Sequence, residues 1–140
     1  MYKKILIPLD NSPTDKTILG HIKSLAKLTG SEIILVHVVE GFAARLQNEL
    51  NLADSQEKTE DQAYLDKVSK VMAGDGLKVK AILVQGKEPA PAILTVAEQE
   101  DCDLIAMATH GHGFVKDVIL GSVADYLRHH TNLPILMIRA

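Results

Sequence analysis

Two stretches of the 140-residue chain hold residue types suited to contacting a ligand. One is Pro8-Leu9-Asp10-Asn11-Ser12, directly after the apolar run ILI; the other is ATHGHGFVKDVILGS, residues 108–122, whose Ala108 ends the apolar run DLIAMA. Glycine lets backbone N–H groups come close to phosphate oxygens, and the start of a helix adds partial positive charge there. Gly111 and Gly113 supply the turn, while Gly121 and Ser122 are expected where the last helix starts. Asp10 is an acceptor for ribose hydroxyls, and an unpaired buried acid would otherwise be costly. Together these residues suggest a nucleotide site with a phosphate cradle on one side and a ribose acceptor on the other.

Plainer roles exist for the same residues. Gly111 and Gly113 could serve turn chemistry alone, and Ser122 could be an N-cap with Asp125 three residues on. Asp10 could be a turn former ahead of an N-cap at Ser12, with Pro13 at the first helical position. The fixed distance from Gly111 to Gly121-Ser122 favours the binding role. His110 and His112 lack a third ligand, so no metal site is expected. His37, inside an apolar strand, reads as a hydrogen-bonded core histidine, and His129-His130 as residues favoured at a helix C-terminus. Cys102 has no activating neighbour and reads as a buried, inert thiol. EKTED, residues 57–61, reads as a solvated helix face.

Two familiar phosphate fingerprints are missing. Gly86-Lys87-Glu88 lacks the Ser or Thr of a P-loop, and Lys116 stands where the third glycine of a dinucleotide-binding G-x-G-x-x-G would be.

The elements that must position these residues alternate along the chain. Strands are expected over 3–10, 33–39, 78–84, 103–109 and 134–139. The first helix follows Ser12, with Ile18, Ile22, Leu25 and Ala26 at helical spacing and Gly30 as its stop. A second helix is expected over roughly 56–72 with Tyr64, Leu65, Val68 and Val71 as its buried stripe. A third opens at Pro89 or Pro91, and the last is GSVADYLRHH. Residues 41–55 lack a long helical register: Phe42, Leu46, Leu50 and Leu52 could make a short helix or a loose flap, and a flap beside the ligand is expected. Strands alternating with helices imply an α/β fold, a doubly wound five-stranded parallel sheet with helices on both faces. Ligands of such sheets bind beyond the carboxyl ends of the strands, where strand order reverses, and an order 3-2-1-4-5 places the Asp10 and glycine-loop ends side by side.

Length and composition bound the class. At 140 residues and 46% hydrophobic, one globular domain is expected. A net charge of −3 offers no basic footprint for nucleic acid or anionic lipid. There is no apolar run long enough for a membrane span and no signal-peptide pattern, and one cysteine fits a reducing compartment, so a cytoplasmic protein is expected.

The chain resembles the universal stress protein family throughout its length, in KKILIPLDNS, ILVHVV, DLIAMATHGHG, GSVADYL and LPILMIR. The ATP-binding branch of that family carries G-x-x-G, nine residues, then G-[ST] after the fourth strand. Here the frame is Ala108-Thr109-His110-Gly111, nine residues, then Gly121-Ser122, so Ala108 replaces the first glycine. That adds a methyl and removes no N–H donor. The resemblance implies an adenine nucleotide alpha hydrolase-like fold. It also implies that Asp10 holds the ribose, Pro8 and Leu9 flank the base, and backbone at Val38 reads the adenine edge. Gly111, Gly121, Ser122 and Val123 would hold phosphates, with Met107 and Ala108 as the pocket floor. The expected ligand is ATP, with magnesium compatible, or AMP. The expected assembly is a homodimer through the last strand, Pro134 to Arg139. The leading expectation is therefore a nucleotide-binding regulatory stress protein. The alternatives are a slow nucleotide hydrolase or phosphotransferase and a ligand-free dimeric scaffold. A dedicated catalyst would need a metal-holding carboxylate, a positioned base and more cations than Lys116, His110 and His112 supply.

Overall fold

The computed structural model describes residues 1–40, 51–109 and 117–140. The expected turn at Gly111 and Gly113, the histidines His110 and His112, and most of the expected flap (41–50) lie outside the described residues.

The elements run β1 (Lys4–Pro8), α1 (Thr14–Thr29), β2 (Glu32–Glu40), α2 (Asn51–Gly74), β3 (Lys78–Gly86), α3 (Pro89–Gln99), β4 (Leu104–Thr109), α4 (Asp117–His130) and β5 (Ile135–Arg139). All pairings are parallel and the sheet order is β3-β2-β1-β4-β5, the doubly wound arrangement expected from the alternation. Because strand side chains alternate, each central strand feeds two cores. Ile5, Ile7, Leu9, Ile33, Leu35 and Ala106 pack under α1 and α2, where Ile18, Ile22 and Leu65 are fully buried. Leu6, Ile34, Val36, Ile105 and Met107 pack under α3 and α4 with Ile93, Val96, Ala97 and Leu127. Burying each large aliphatic side chain contributes roughly 1.5–3 kcal/mol, so the two layers hold the sheet rigidly behind its loops.

Local chemistry sets most boundaries. Gly30 ends α1 in the left-handed region at φ 69°, its N–H donating to Ala26 O at 2.8 Å. Pro89 opens α3, where a missing N–H costs nothing.

Three expectations need correction. Helix α2 begins at Asn51, so 51–55 is helix rather than flap. Its buried stripe is Leu65 and Met72, with Tyr64 and Val68 half-buried, while Val71 is 61% exposed. Seven residues are nearly two full turns, so Met72 returns to the face of Leu65 and Val71 is swung off it. Helix α4 begins at Asp117, not at Gly121.

Candidate functional site

The centre of the sheet opens between β1 and β4. Leu9 N–H donates to Val36 O at 2.8 Å, so the N–H position of Pro8, one residue back, faces β4. Proline has no hydrogen to offer there. Accordingly the recorded β1–β4 pairing stops at Leu6↔Ile105, whereas β1–β2 continues to Pro8↔Val36. The crevice begins where that ladder bond is missing, flanked by Pro8 and Leu9 on one side and Met107 and Ala108 on the other. Met107 and Ala108 are buried core residues whose side chains enter opposite layers.

Beyond β1, strand β2 continues with Val38 paired to Val84 of β3. The β1-facing edge of β2 includes Val36 O, and alternate residues share an edge, so the N–H and C=O of Val38 point into the space past the end of β1. The half-buried Val38 side chain packs into the α3–α4 layer.

Asp10 is exposed at this same end. Its Oδ1 accepts from Ser12 N–H at 3.1 Å, closing a short turn in which Asn11 takes a left-handed φ of 58°. Asparagine tolerates that region better than most residues. Ser12 does not cap α1: Pro13 occupies the cap position and makes no side-chain cap bond, while the Ser12 hydroxyl lies 2.7 Å from that of Thr14.

Asp15, visible in sequence only as a first-turn acid, is the residue that organises the loop. It is 3% exposed, and its carboxylate accepts from Asn11 N–H at 2.9 Å, from Asp10 N–H at 3.4 Å and from the Tyr64 hydroxyl at 2.5 Å. Burial, opposed by the Tyr64 hydrogen bond and reinforced by the nearby Asp10 charge, pushes its pKa up to about 6. Burial and the Asp15 contact raise the Tyr64 phenol too.

His37 is the hydrogen-bonded histidine expected from its strand. Its Nδ1 lies 2.7 Å from Leu9 O, and its Nε2 lies 3.1 Å from Asp61 Oδ2. Both partners are acceptors, so both bonds form together when the ring carries a hydrogen on each nitrogen. Asp61 is therefore not part of a solvated face; with Tyr64 it makes α2 a clamp on the carboxyl end of β1. Nothing in the 57–61 charge run could have revealed this, because the partner lies on another strand.

Gly121 is the fifth residue of α4 and Ser122 the sixth; both are exposed, and Val123 is half-buried. Only the first four N–H groups of a helix lack internal partners, so these two stand past the free donors and Ser122 is not an N-cap. A Cβ on Gly121 would meet no described atom within 4 Å, so packing among the described residues does not demand a glycine there.

Cys102 is buried, and burial pushes its thiol up to about 11, as fits an inert residue. His129 and His130 sit exposed in the last turn of α4, their Nδ1 atoms 2.7 and 2.8 Å from the Asp125 and Tyr126 carbonyls. An open groove of about 620 Å³ lies between α1 and α2, bordered by Lys16, Gly20, Lys67 and Val71. It reaches the β1 loop at Asn11 and Ser12, beside Tyr64 of α2, but lies on the helical layer, not over the crevice. Among the described residues there is no cluster of three or more metal-ligating side chains, and no helix is long and apolar enough to cross a membrane.

A doubly wound sheet with an acid and an open backbone edge at its switch point defines a class of small-ligand-binding α/β proteins. Within that class, the family model for universal stress proteins matches residues 1–139, and the chain belongs to that family. Universal stress protein MJ0577 of Methanocaldococcus jannaschii is 31% identical over 99% of this chain and 96% of its own length. A Thermus aquaticus universal stress protein is 33% identical over 99% of this chain and 100% of its own. The solved structure of MJ0577 superposes with a TM-score of 0.86 at 34% identity, covering 100% of this chain and 97% of that one. Two more distant structures share the fold. One is a universal stress protein in complex with cAMP, with a TM-score of 0.73 at 15% identity over 99% of this chain and 97% of its own. The other, from Archaeoglobus fulgidus in complex with dAMP, has a TM-score of 0.67 at 19% identity over 98% of each chain.

Proposed function

We propose that this chain is an adenine-nucleotide-binding regulatory stress protein, with ATP or AMP lying across the β1–β4 crevice. The observation that carries the reading is the meeting, at the sheet's switch point, of an exposed Asp10 carboxylate with the outward-facing backbone of Val38. The carboxylate suits ribose hydroxyls, and a paired donor and acceptor at Val38 suits the adenine edge. Pro8 and Leu9 flank the base over the floor at Met107 and Ala108. The phosphates reach toward Gly111, Gly113, Gly121, Ser122 and Val123, with magnesium entering as part of an ATP complex. Two proteins of the same fold hold cAMP and dAMP, which supports an adenylate as the ligand.

We read the protein as a binder rather than a dedicated catalyst. In this reading the acids at the end of β1 have other work than holding a metal or activating water: Asp15 holds the loop backbone, and Asp10, which closes its turn through Oδ1, accepts from the ribose. Homodimerisation through β5 belongs to the same proposal. That strand ends the sheet order, and Met137 is 52% exposed on it, leaving an apolar edge suited to pairing with a second copy.

The test is mass spectrometry of small molecules released on denaturing the purified protein, with titration of the stripped protein with ATP and AMP. Recovery of near-stoichiometric adenylate, or saturable binding of either nucleotide, is expected. Neither result in a folded protein would leave the ligand-free scaffold.

A further inference from the structure

We infer that Asp15 and Tyr64 act as a positioning pair for the nucleotide, fixing the Asp10-Asn11 backbone so that the affinity for the nucleoside part of the ligand depends on how α2 is docked. The inference rests on the nucleotide reading above and concerns residues that touch no ligand in it.

The geometry is specific. The turn that presents Asp10 has two backbone donors, the N–H groups of Asp10 and Asn11, that face inward onto one carboxylate rather than into water. Asn11 also sits in the left-handed region, and its N–H in that conformation is the one that meets Asp15 Oδ2 at 2.9 Å. Asp15 is that partner from α1, and Tyr64 orients the same carboxylate from α2, 49 residues further along the chain. The Tyr64 hydroxyl is thus a direct mechanical link between α2 and the turn that carries the ribose acceptor. The second link from the same helix, Asp61 to His37 to Leu9 O, ends one residue earlier, so α2 holds both sides of Asp10. A shift of α2 would remove the Tyr64 bond that orients Asp15 and the His37 link to Leu9 O together.

The arrangement also makes the turn sensitive to acid. A protonated Asp15 has one acceptor oxygen and one O–H, so it cannot receive both backbone N–H groups as the carboxylate does. Burial places that protonation near pH 6, within reach of mild acidification. The titratable groups facing Asp15 are Asp10 on the turn, which disfavours its charge, and Tyr64 on α2, which favours it. The His37–Asp61 pair lies beyond them on β2 and α2.

The experiment is titration calorimetry of the stripped protein with ATP and with inorganic tripolyphosphate, at pH ~7.5 and ~5.5, for the wild type, Asp15→Asn and Tyr64→Phe. Asp15→Asn turns an amide N–H toward one of the backbone donors and is expected to weaken ATP about tenfold at the higher pH, since a hydrogen bond to a charged group is lost. Tyr64→Phe leaves the carboxylate and is expected to weaken ATP about threefold, the effect of one orienting bond. Tripolyphosphate affinity should change less than about twofold in both, because the proposed phosphate contacts, Gly111, Gly113 and Gly121 to Val123, come after β4 and not from the β1 turn. Wild-type ATP affinity should fall on acidification and the Asp15→Asn profile should be flatter. If Asp15→Asn fails to fold, Tyr64→Phe carries the test alone. Variants that bind ATP as the wild type does, or that lose ATP and tripolyphosphate equally, overturn the positioning role. A wild type that binds no nucleotide at either pH instead removes the reading on which it rests.

Discussion

Replacing Gly121 by valine sets fold and function against each other with opposite signs. Gly121 is exposed within α4, and a Cβ there meets no described atom within 4 Å. Glycine costs about 1 kcal/mol and valine about 0.6 kcal/mol relative to alanine inside a helix, so the substitution should leave stability unchanged or raise it by about 0.4 kcal/mol. The same open space is where the nucleotide reading puts phosphate. A branched side chain filling it should remove at least one charge-assisted hydrogen bond, worth roughly 1.5–3 kcal/mol, and so weaken ATP by about tenfold or more. Gly20 provides the control. It too lies in a helix with no described atom within 4 Å of a Cβ, but it borders the α1–α2 groove, so Gly20→Ala should gain stability and leave ATP affinity unchanged. Thermal denaturation of the stripped protein with ATP titration on both variants tests this. A Gly121→Val protein that is as stable as the wild type and binds ATP equally well would refute the phosphate role of α4, leaving its glycine without a ligand to explain it.

Three further outcomes are expected. Asp103 accepts from the Lys3 and Lys4 N–H groups at 2.8 and 3.0 Å at the opposite end of the sheet, so Asp103→Ala should cost roughly 2 kcal/mol in chemical denaturation and leave ATP affinity untouched. Although burial works against its charged form, those backbone donors outweigh it and hold the Asp103 carboxyl below its usual range, so its stabilisation is present at neutral pH and is lost as the pH falls through that lowered value. Ala140 N–H bonds Thr109 O on β4, so by alternation the N–H of Met137 points away from β4, and Met137→Pro should convert the proposed dimer to monomer in light scattering with the fold retained; a persisting dimer would place the interface elsewhere, and a monomeric wild type would remove the dimer proposal. Cys102, buried and with a raised thiol pKa, should alkylate slowly in native protein and rapidly in denaturant; rapid native labelling would contradict its burial.

The local signals in the chain determined the sheet and its layers. Near-continuous apolar runs such as IILVHVV have no reason to exist unless both faces are buried, and their alternation with helical stretches leaves a parallel doubly wound sheet as the economical arrangement. The position of Asp10 was legible for the same reason: an acid straight after an apolar strand falls at the strand's carboxyl end. Helix boundaries were less legible. Ser12 and Ser122 have the right chemistry for caps, yet Pro13 takes the first cap position and α4 starts at Asp117, because a cap exists only where the backbone leaves the helix, and residue type alone does not set that point. What only the tertiary structure decided are the pairings across sequence distance. Tyr64 reaches Asp15, Asp61 reaches His37, and Pro8 turns its missing donor toward β4 rather than β2. Each depends on which face of an element meets which neighbour once the sheet is assembled, and neither periodicity nor composition specifies that meeting.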